Sequence, residues 1–152
     1  MPYLAMLDRL RAFLTRGQAV LVICGYSFSD QHLNEVILQG LSGNPTAICF
    51  GLLFGDRAKS AEAVSHARTH PNLSLLAVDG AVLGTAERDW HTAEEPKHLL
   101  NGLAVKSGAI PGRTDAPSER CKFLLGDFGA FGDFLAYSLP PPGTEKGPSN
   151  AS

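Results

Sequence analysis

Hydrophobic residues along this chain form two patterns, short apolar runs and stripes at helical spacing. Three runs, at 19–24 (AVLVIC), 46–54 (TAICFGLLF) and 73–78 (LSLLAV), are almost wholly apolar. A short run that is apolar on both sides is typical of a parallel strand with helices covering each face of its sheet. We predict one buried strand at each run.

Stripes at helical spacing precede and separate these strands. Residues 3–16 and 30–42 each carry an apolar stripe, residues 56–69 carry a weaker one with Asp56 as its expected N-cap, and Gly17 stands where a helix should end. The alternation of helices and strands predicts an α/β fold, a three-layer Rossmann-like parallel sheet with right-handed crossovers. The chain opens on a helix, so we expect this sheet to be incomplete at its N-terminal side.

The pattern breaks after the third strand. From residue 84 to 120 the chain is polar and rich in Gly and Pro, which we interpret as an insertion, a mobile cover or partly disordered chain. A short strand is predicted at 122–125, then a helix that begins at Asp127 and places on one face Phe128, Phe131, Phe134 and Leu135. We therefore predict one domain over 1–138 and a disordered Pro/Gly-rich tail over 139–152.

Composition narrows the class of protein. The 152 residues are 44% hydrophobic with a net charge of −2, which gives no reason to expect direct binding to nucleic acid or to a membrane. The three cysteines show neither a disulfide framework nor zinc spacing, and the N-terminal helix carries too many charges for a signal peptide. We expect a cytoplasmic protein without a metal site.

Candidate chemistry concentrates at the junction after the first strand, CGYSFSDQH at residues 24–32. Ligands in open α/β sheets bind beyond the carboxyl ends of the strands, which is where this junction is predicted. One interpretation is a serine hydrolase, because residues 25–29 match the nucleophile elbow G-x-S-x-G at Ser27, except that Ser29 replaces the last Gly. Asp79 and then His91 or His98 follow in the chain order of a catalytic triad.

Two other interpretations of the junction remain open. In the first, Gly25 lets a nucleotide approach the backbone, the Ser27 and Ser29 hydroxyls meet ribose or a pyrophosphate oxygen, and Asp30 accepts from ribose hydroxyls. In the second, Ser29 or Asp30 only caps the following helix. Asp79 follows the third strand and is therefore expected on the same rim of the sheet. His66 and His70 have the spacing of a helical metal pair, but a solvent-exposed pair at a helix end is the simpler interpretation.

The residues also resemble a known family. LVICGYSFSDQHLNEVILQGL followed by NPTAICFGLLFG is similar to the second half of a sirtuin-like NAD-binding domain, in the bacterial branch found in phage-defence proteins. NLSLLAVDGAVLG and LLGDFGAFGDFL resemble the C-terminal stretch of that branch. The most specific match is G-Y-S-F-x-D-x-H-x-N, which begins at Gly25 and ends at Asn34.

The resemblance implies an NAD site. In the family this turn meets the adenosine ribose of NAD, and together with the position of Asp79 this assigns to cofactor binding Gly25, Tyr26, Ser27, Phe28, Asp30 and Asp79. The family reaction is hydrolysis of NAD to nicotinamide and ADP-ribose. The resemblance also implies homo-oligomers, or a companion chain such as a HerA-type DNA-translocase ATPase.

The chain departs from the family in its catalytic parts. The Gly-rich loop that cradles NAD and the catalytic Asn and His have no counterpart in these residues, and His32 lies in the wrong motif for that role. We therefore assign no catalytic residue and expect no NAD hydrolysis by this chain alone. A non-catalytic assembly module that packs on a partner chain is the alternative from another class.

Overall fold

The computed structural model describes residues 2–90, 99–107 and 121–139, and the predicted tail lies largely outside these ranges. Its helices are α1 (Pro2–Leu14), α2 (Gln31–Gly43), α3 (Ala61–Thr69), α4 (Leu99–Ala104) and α5 (Phe128–Ser138). Its strands are β1 (Ala19–Cys24), β2 (Ala47–Leu52), β3 (Leu73–Ala77), β4 (Gly80–Leu83), β5 (Ala86–Asp89), β6 (Val105–Ser107) and β7 (Cys121–Phe123). The α/β class is confirmed.

The main sheet is mixed rather than wholly parallel. Its five strands lie in the order β1-β2-β3-β4-β5, with parallel pairing from β1 to β3 and antiparallel pairing from β3 to β5. Two residues join β3 to β4 and two more, Gly84 and Thr85, join β4 to β5, both of them at positive φ. Connections this short can only reverse the chain, because a parallel pair needs a crossover. The prediction of an all-parallel sheet was therefore wrong for its last two strands.

Three helices cover one face of this sheet. Each helix buries apolar side chains against the alternate strand residues that point to this face. The helix residues are Leu14 of α1, Ile37 and Leu41 of α2, and Ala63 and Val64 of α3, and the strand residues include Ala47, Cys49, Leu73 and Leu75. α1 lies beside α2 and β1, and Leu14 sits so close to Gly40 that a Cβ there would lie 2.8 Å from the leucine side chain. This face is the main hydrophobic core.

Among the described residues, those that cover the opposite face pack near the carboxyl ends of its strands. A second cluster joins Leu52 to Phe123 and Leu125, with Cys24, Leu76, Phe131 and Phe134 packed around it. The predicted aromatic face of α5 is thus confirmed for Phe131 and Phe134. It is wrong for Phe128, which is the first residue of α5 and is 76% exposed.

Local details refine the sequence predictions. α1 ends near Gly17, whose φ of +55° suits a glycine, as predicted. The helix predicted over 56–69 begins as a 3₁₀ turn, Arg57–Ser60, and Asp56 stands before it without a capping side-chain hydrogen bond.

Within the region predicted as irregular, residues 86–89 form β5 and residues 99–107 form α4 and β6. No helix in the described ranges is long and apolar enough to cross a membrane.

Candidate functional site at the carboxyl end of the sheet

The turn after β1 has an unusual backbone. Gly25 and Phe28 adopt φ values of +69° and +57°, a conformation that side chains other than Gly, Asn and Asp rarely enter. The Gly25 N–H donates to Leu52 O at 3.1 Å, so the pairing of β1 with β2 continues one residue into the turn. A bulky residue in this conformation marks a turn that its surroundings hold in place.

Buried contacts explain how Phe28 is held. Its side chain is 1% exposed, and its ring lies over Gly51, where an added Cβ would meet ring carbons at 3.3 Å. Asn34, 4% exposed on α2, donates from Nδ2 to Phe28 O at 2.7 Å, and its Oδ1 accepts from the Tyr26 hydroxyl at 2.8 Å. The Tyr26 and Phe28 rings pack with centroids 4.8 Å apart. Tyr26, Phe28 and Asn34 therefore shape the turn from inside.

Asp30 caps α2, as one interpretation of the junction predicted. Its Oδ1 accepts from the Leu33 N–H at 3.1 Å, and its Oδ2 accepts from the Tyr3 hydroxyl at 2.8 Å. These donors favour the ionised carboxylate, so the Leu33 N–H first and the Tyr3 hydroxyl second lower the pKa of Asp30. Both carboxylate oxygens are thus occupied within the protein, and one of them ties α1 to the turn.

Two hydroxyl groups of the turn face solvent. The Oγ atoms of Ser27 and Ser29 lie 2.8 Å apart, and both residues are exposed. Each hydroxyl keeps further donor and acceptor capacity toward solvent. The hydrogen bond of Ser27 is to another hydroxyl and not to an imidazole. His91 and His98, the proposed triad bases, lie outside the described residues.

The C-terminal segment borders this turn. Gly126 lies so close to the end of β2 that a Cβ on it would fall 1.9 Å from Leu53 O, and Gly25 approaches the Gly126 carbonyl. The Cys24 thiol donates to Leu125 O at 3.3 Å, and Asp127 caps α5 by accepting from the Ala130 N–H at 2.9 Å. Two helices therefore begin at this rim, α2 with Asp30 as its N-cap and α5 with Asp127 as its N-cap.

Asp79 has a different environment at the end of β3. It is 7% exposed, and its carboxylate accepts from the Arg57 N–H at 2.9 Å and from Arg57 Nε at 3.2 Å. Arg57 also pairs with Asp89 and Glu87 and donates to Arg88 O, which joins the β4–β5 hairpin to the 3₁₀ turn. Burial lowers the pKa of Arg57, but Asp79 and Asp89 raise it by more, so its pKa lies above the ordinary value. Asp79 and Arg57 form a buried ion pair at this corner.

A groove at the other end of the sheet is apart from this turn. A groove of about 780 Å³ opens at the amino ends of β2 and β3, and it is lined by Ile48, Phe50, His70, Asn72 and Ser74 among others. A smaller cavity of about 270 Å³ lies beside Arg57 and Asp79. Neither contains the serine pair. We place the candidate site at the turn and not in the groove, because the groove is mostly apolar and lies at the end of the sheet opposite to the usual ligand rim.

Sequence reasoning missed three residues that organise the site. Asn34 was part of the quoted motif. The signal that could have indicated its role is that it is a polar residue four positions after the cap, on a helix that carries an apolar stripe. Tyr3 and Arg57 act over 27 and 22 residues of sequence, and no local pattern indicated them. In the described residues no three His, Cys, Asp or Glu side chains gather as a metal site, and the His70 ring bonds to His66 O within its own helix.

Comparison with known proteins leaves the family open. The geometry brings together Gly25, Tyr26, Ser27, Phe28 and Asp30 as one turn, and it places Asp79 in a separate ion pair two strands away. The sirtuin-like resemblance therefore stays a prediction. No protein-family model matches the chain, and no curated protein sequence matches it.

Proposed function

We propose that the turn Gly25–Asp30 binds the ribose hydroxyls of NAD or a related nucleotide, as part of a sirtuin-like NAD site. The observation that carries this proposal is the exposed Ser27–Ser29 hydroxyl pair, which a strained and internally braced turn presents at the carboxyl end of β1. A preorganised pair of hydroxyls can donate to and accept from two ribose hydroxyls with little loss of side-chain entropy.

The helix starts argue for ribose rather than phosphate at this turn. A phosphate group bound at a helix N-terminus uses its free N–H groups and the positive end of the helix dipole. In α2 the Leu33 N–H is already bonded to Asp30, whose negative charge also opposes an incoming phosphate. The role we give Asp30 is to hold the turn through Leu33 and Tyr3, while the serine hydroxyls contact the ligand.

Catalysis is not part of the proposal for the chain alone. The 152 residues contain no G-x-G-x-x-G loop, and no Asn and His pair matches the family's catalytic residues. In a sirtuin-like NAD hydrolase of antiphage defence, this chain would supply the distal part of the NAD pocket. We expect no nicotinamide release from the isolated chain, whether or not it binds NAD.

Calorimetric titration with NAD and with ADP-ribose tests the proposal. We expect binding by the wild-type chain, and Ser27→Ala and Ser29→Ala each to weaken it about five- to tenfold, the effect of one lost hydrogen bond. Ser65→Ala is the matched control, because Ser65 is also exposed but lies on α3. Absence of binding at millimolar ligand, or equal weakening by Ser65→Ala, would contradict the proposal.

A non-catalytic assembly module is the second candidate, and the open edge of β1 favours it. Within the described residues β1 pairs with β2 alone, although its residues are largely apolar. A chain that associates but binds neither NAD nor ADP-ribose would support this candidate over the nucleotide site.

A further inference from the structure

Two carboxylates stand at the helix starts beside the serine pair. Asp30 is the N-cap of α2 and follows Ser29 directly in the chain, and Asp127 is the N-cap of α5. The charge of Asp127 reaches the end of β1, because burial first and this carboxylate second raise the pKa of the Cys24 thiol. The hydroxyl pair of Ser27 and Ser29 thus lies in a negatively charged part of the rim.

The carboxylate of Asp30 is ionised and held beside the turn. Its pKa is lowered first by the Leu33 N–H, then by the Tyr3 hydroxyl, and in smaller part by the charge of His32. The Leu33 N–H donates to Oδ1 at 3.1 Å, and the Tyr3 hydroxyl donates to Oδ2 at 2.8 Å. A carboxylate with these donors keeps its negative charge at neutral pH.

The positive end of α2 does not offset this charge. A helix N-terminus carries about half a positive elementary charge, which one full carboxylate exceeds. Asp30 also occupies the Leu33 N–H, one of the groups through which a helix start binds an anion. The start of α2 is therefore net negative toward an approaching ligand, although an uncapped helix start attracts anions.

Two cationic side chains near the rim give little compensation. Arg57 is 7% exposed, and its guanidinium already pairs with Asp79, Glu87 and Asp89. His32, in the first turn of α2, is exposed and carries a charge only when it is protonated. Neither residue gives the serine pair a free and permanent positive charge.

We propose that Asp30 is a specificity-determining residue, whose charge excludes nucleotides that carry a phosphate group on the adenosine ribose. The inference rests on the proposed function, in which Ser27 and Ser29 contact two ribose hydroxyls. The accepted class is then NAD and ADP-ribose derivatives with a free 2′,3′-diol, and the excluded class is their ribose-phosphorylated counterparts such as NADP.

Charge and not hydrogen bonding separates these two classes. A serine hydroxyl can donate to a phosphate oxygen as well as to a ribose hydroxyl, so the serine pair by itself accepts both. Ser29 and Asp30 are neighbours, with Cα atoms about 3.8 Å apart, so a phosphate on the serine pair would stand within about one Debye length of the carboxylate. A phosphate monoester carries up to about two negative charges, and repulsion at this distance should weaken binding at least about tenfold.

Calorimetric titration with ADP-ribose and with ADP-ribose 2′-phosphate tests the proposal. At about pH 8, where imidazole side chains are largely neutral, we expect the wild-type chain to bind ADP-ribose at least about tenfold more tightly. Asp30→Asn keeps a side chain that caps helices as well as Asp does, but it removes the charge. The ratio of the two affinities should then fall to about threefold or less. This ratio cancels any loss that a looser turn causes for both ligands alike.

Glu35→Gln is the matched control. It removes one negative charge from an exposed position of the same helix, five residues beyond the cap and thus about 7.5 Å further along the axis, and the ratio should persist. Salt gives a second readout that a purely structural role of Asp30 would not move. Raising the ionic strength from about 0.1 M to about 1 M should reduce the ratio in the wild type and change it little in Asp30→Asn.

Failure of this inference is distinct from failure of the proposed function. If neither ligand binds at millimolar concentration, the nucleotide site itself is refuted. If both ligands bind the wild type equally well, or if Asp30→Asn and Glu35→Gln change the ratio alike, the nucleotide site stands and Asp30 does not determine its specificity.

Discussion

Two aspartates at the same rim of the sheet behave in opposite ways. Asp30 lies at the surface in the turn after β1, where it accepts from one backbone N–H and one tyrosine hydroxyl. Asp79 lies at the end of β3, 7% exposed and bound to the buried guanidinium of Arg57. The sequence assigned both residues to one nucleotide site, but the structure makes one a helix cap and the other half of an ion pair.

The difference shows that a residue can lie at the rim of the sheet and still be unavailable to a ligand. An acidic residue after a parallel strand is a candidate ligand group only while its lone pairs are free. At Asp79 the partner comes from the 3₁₀ turn after β2, which supplies both a backbone N–H and a guanidinium. At the turn after β1 the groups left facing solvent are the Ser27 and Ser29 hydroxyls. The comparison predicts large stability effects at the first position and binding effects at the second.

The largest effect is expected from removing the cation at the Asp79 corner. Arg57→Met keeps the aliphatic stem but leaves a buried carboxylate without its charged partner, which should lower the free energy of unfolding by about 3 kcal/mol or more. Denaturant titration measures the change. Arg68→Met is the control, since Arg68 pairs with Glu87 at the surface, and we expect a loss of at most about 0.5 kcal/mol.

An equal loss in the two arginine variants would contradict the contrast between a buried and an exposed pair. The double variant Arg57→Met/Asp79→Asn sharpens the test. It removes the uncompensated charge, so part of the lost stability should return.

An intermediate effect is expected inside the turn. Asn34→Ala removes the buried donor to Phe28 O and leaves the Tyr26 hydroxyl with Asp30 O as its remaining acceptor. This should cost about 2 kcal/mol of stability and also weaken nucleotide binding. Thermal unfolding and calorimetry measure the two changes. Gln39→Ala, at an exposed position of the same helix, should change neither. A turn that binds ligand normally without Asn34 would show that the internal bracing is dispensable.

The smallest effect is expected from Asp30 and depends on pH. Its folded pKa is lowered by the Leu33 N–H and the Tyr3 hydroxyl, so its contribution to stability is complete above the ordinary Asp pKa, about 3.9, and is lost as pH falls through the folded value. Asp30→Asn should therefore flatten the fall in melting temperature below about pH 4. Tyr3→Phe should flatten it in part. Identical pH profiles for wild type and Asp30→Asn would refute this linkage.

Much of the fold followed from local pattern. The apolar runs at 19–24, 46–54 and 73–78 form β1, β2 and β3, and the stripes between them form helices. Both could be predicted because the spacing of the apolar residues along the chain matches the face that each element buries. The hairpin of β4 and β5 was missed. β5 reads AERD, a polar edge strand whose position depends on pairing with β4 and on Arg57, and no local periodicity reports either.

The site was predictable only in part for the same reason. The cap at Asp30 is encoded within four residues, so the sequence could offer it as one interpretation, with Ser29 as the other candidate. The pairing of Asp79 with Arg57 joins residues 22 apart through two loop conformations, and the positive φ of Phe28 depends on Gly51 and Asn34. Such contacts arise from tertiary packing, which a single sequence does not display.

The close approach of Gly126 to Leu53 has a consequence for how this chain can vary. The backbone there leaves no volume for any side chain, so substitution at that position is closed to every other amino acid. Gly132, on α5, has open space around it and can be replaced freely on steric grounds. The surface of the last helix can therefore drift in evolution while its point of attachment to the sheet is kept by a single residue that has no side chain to change.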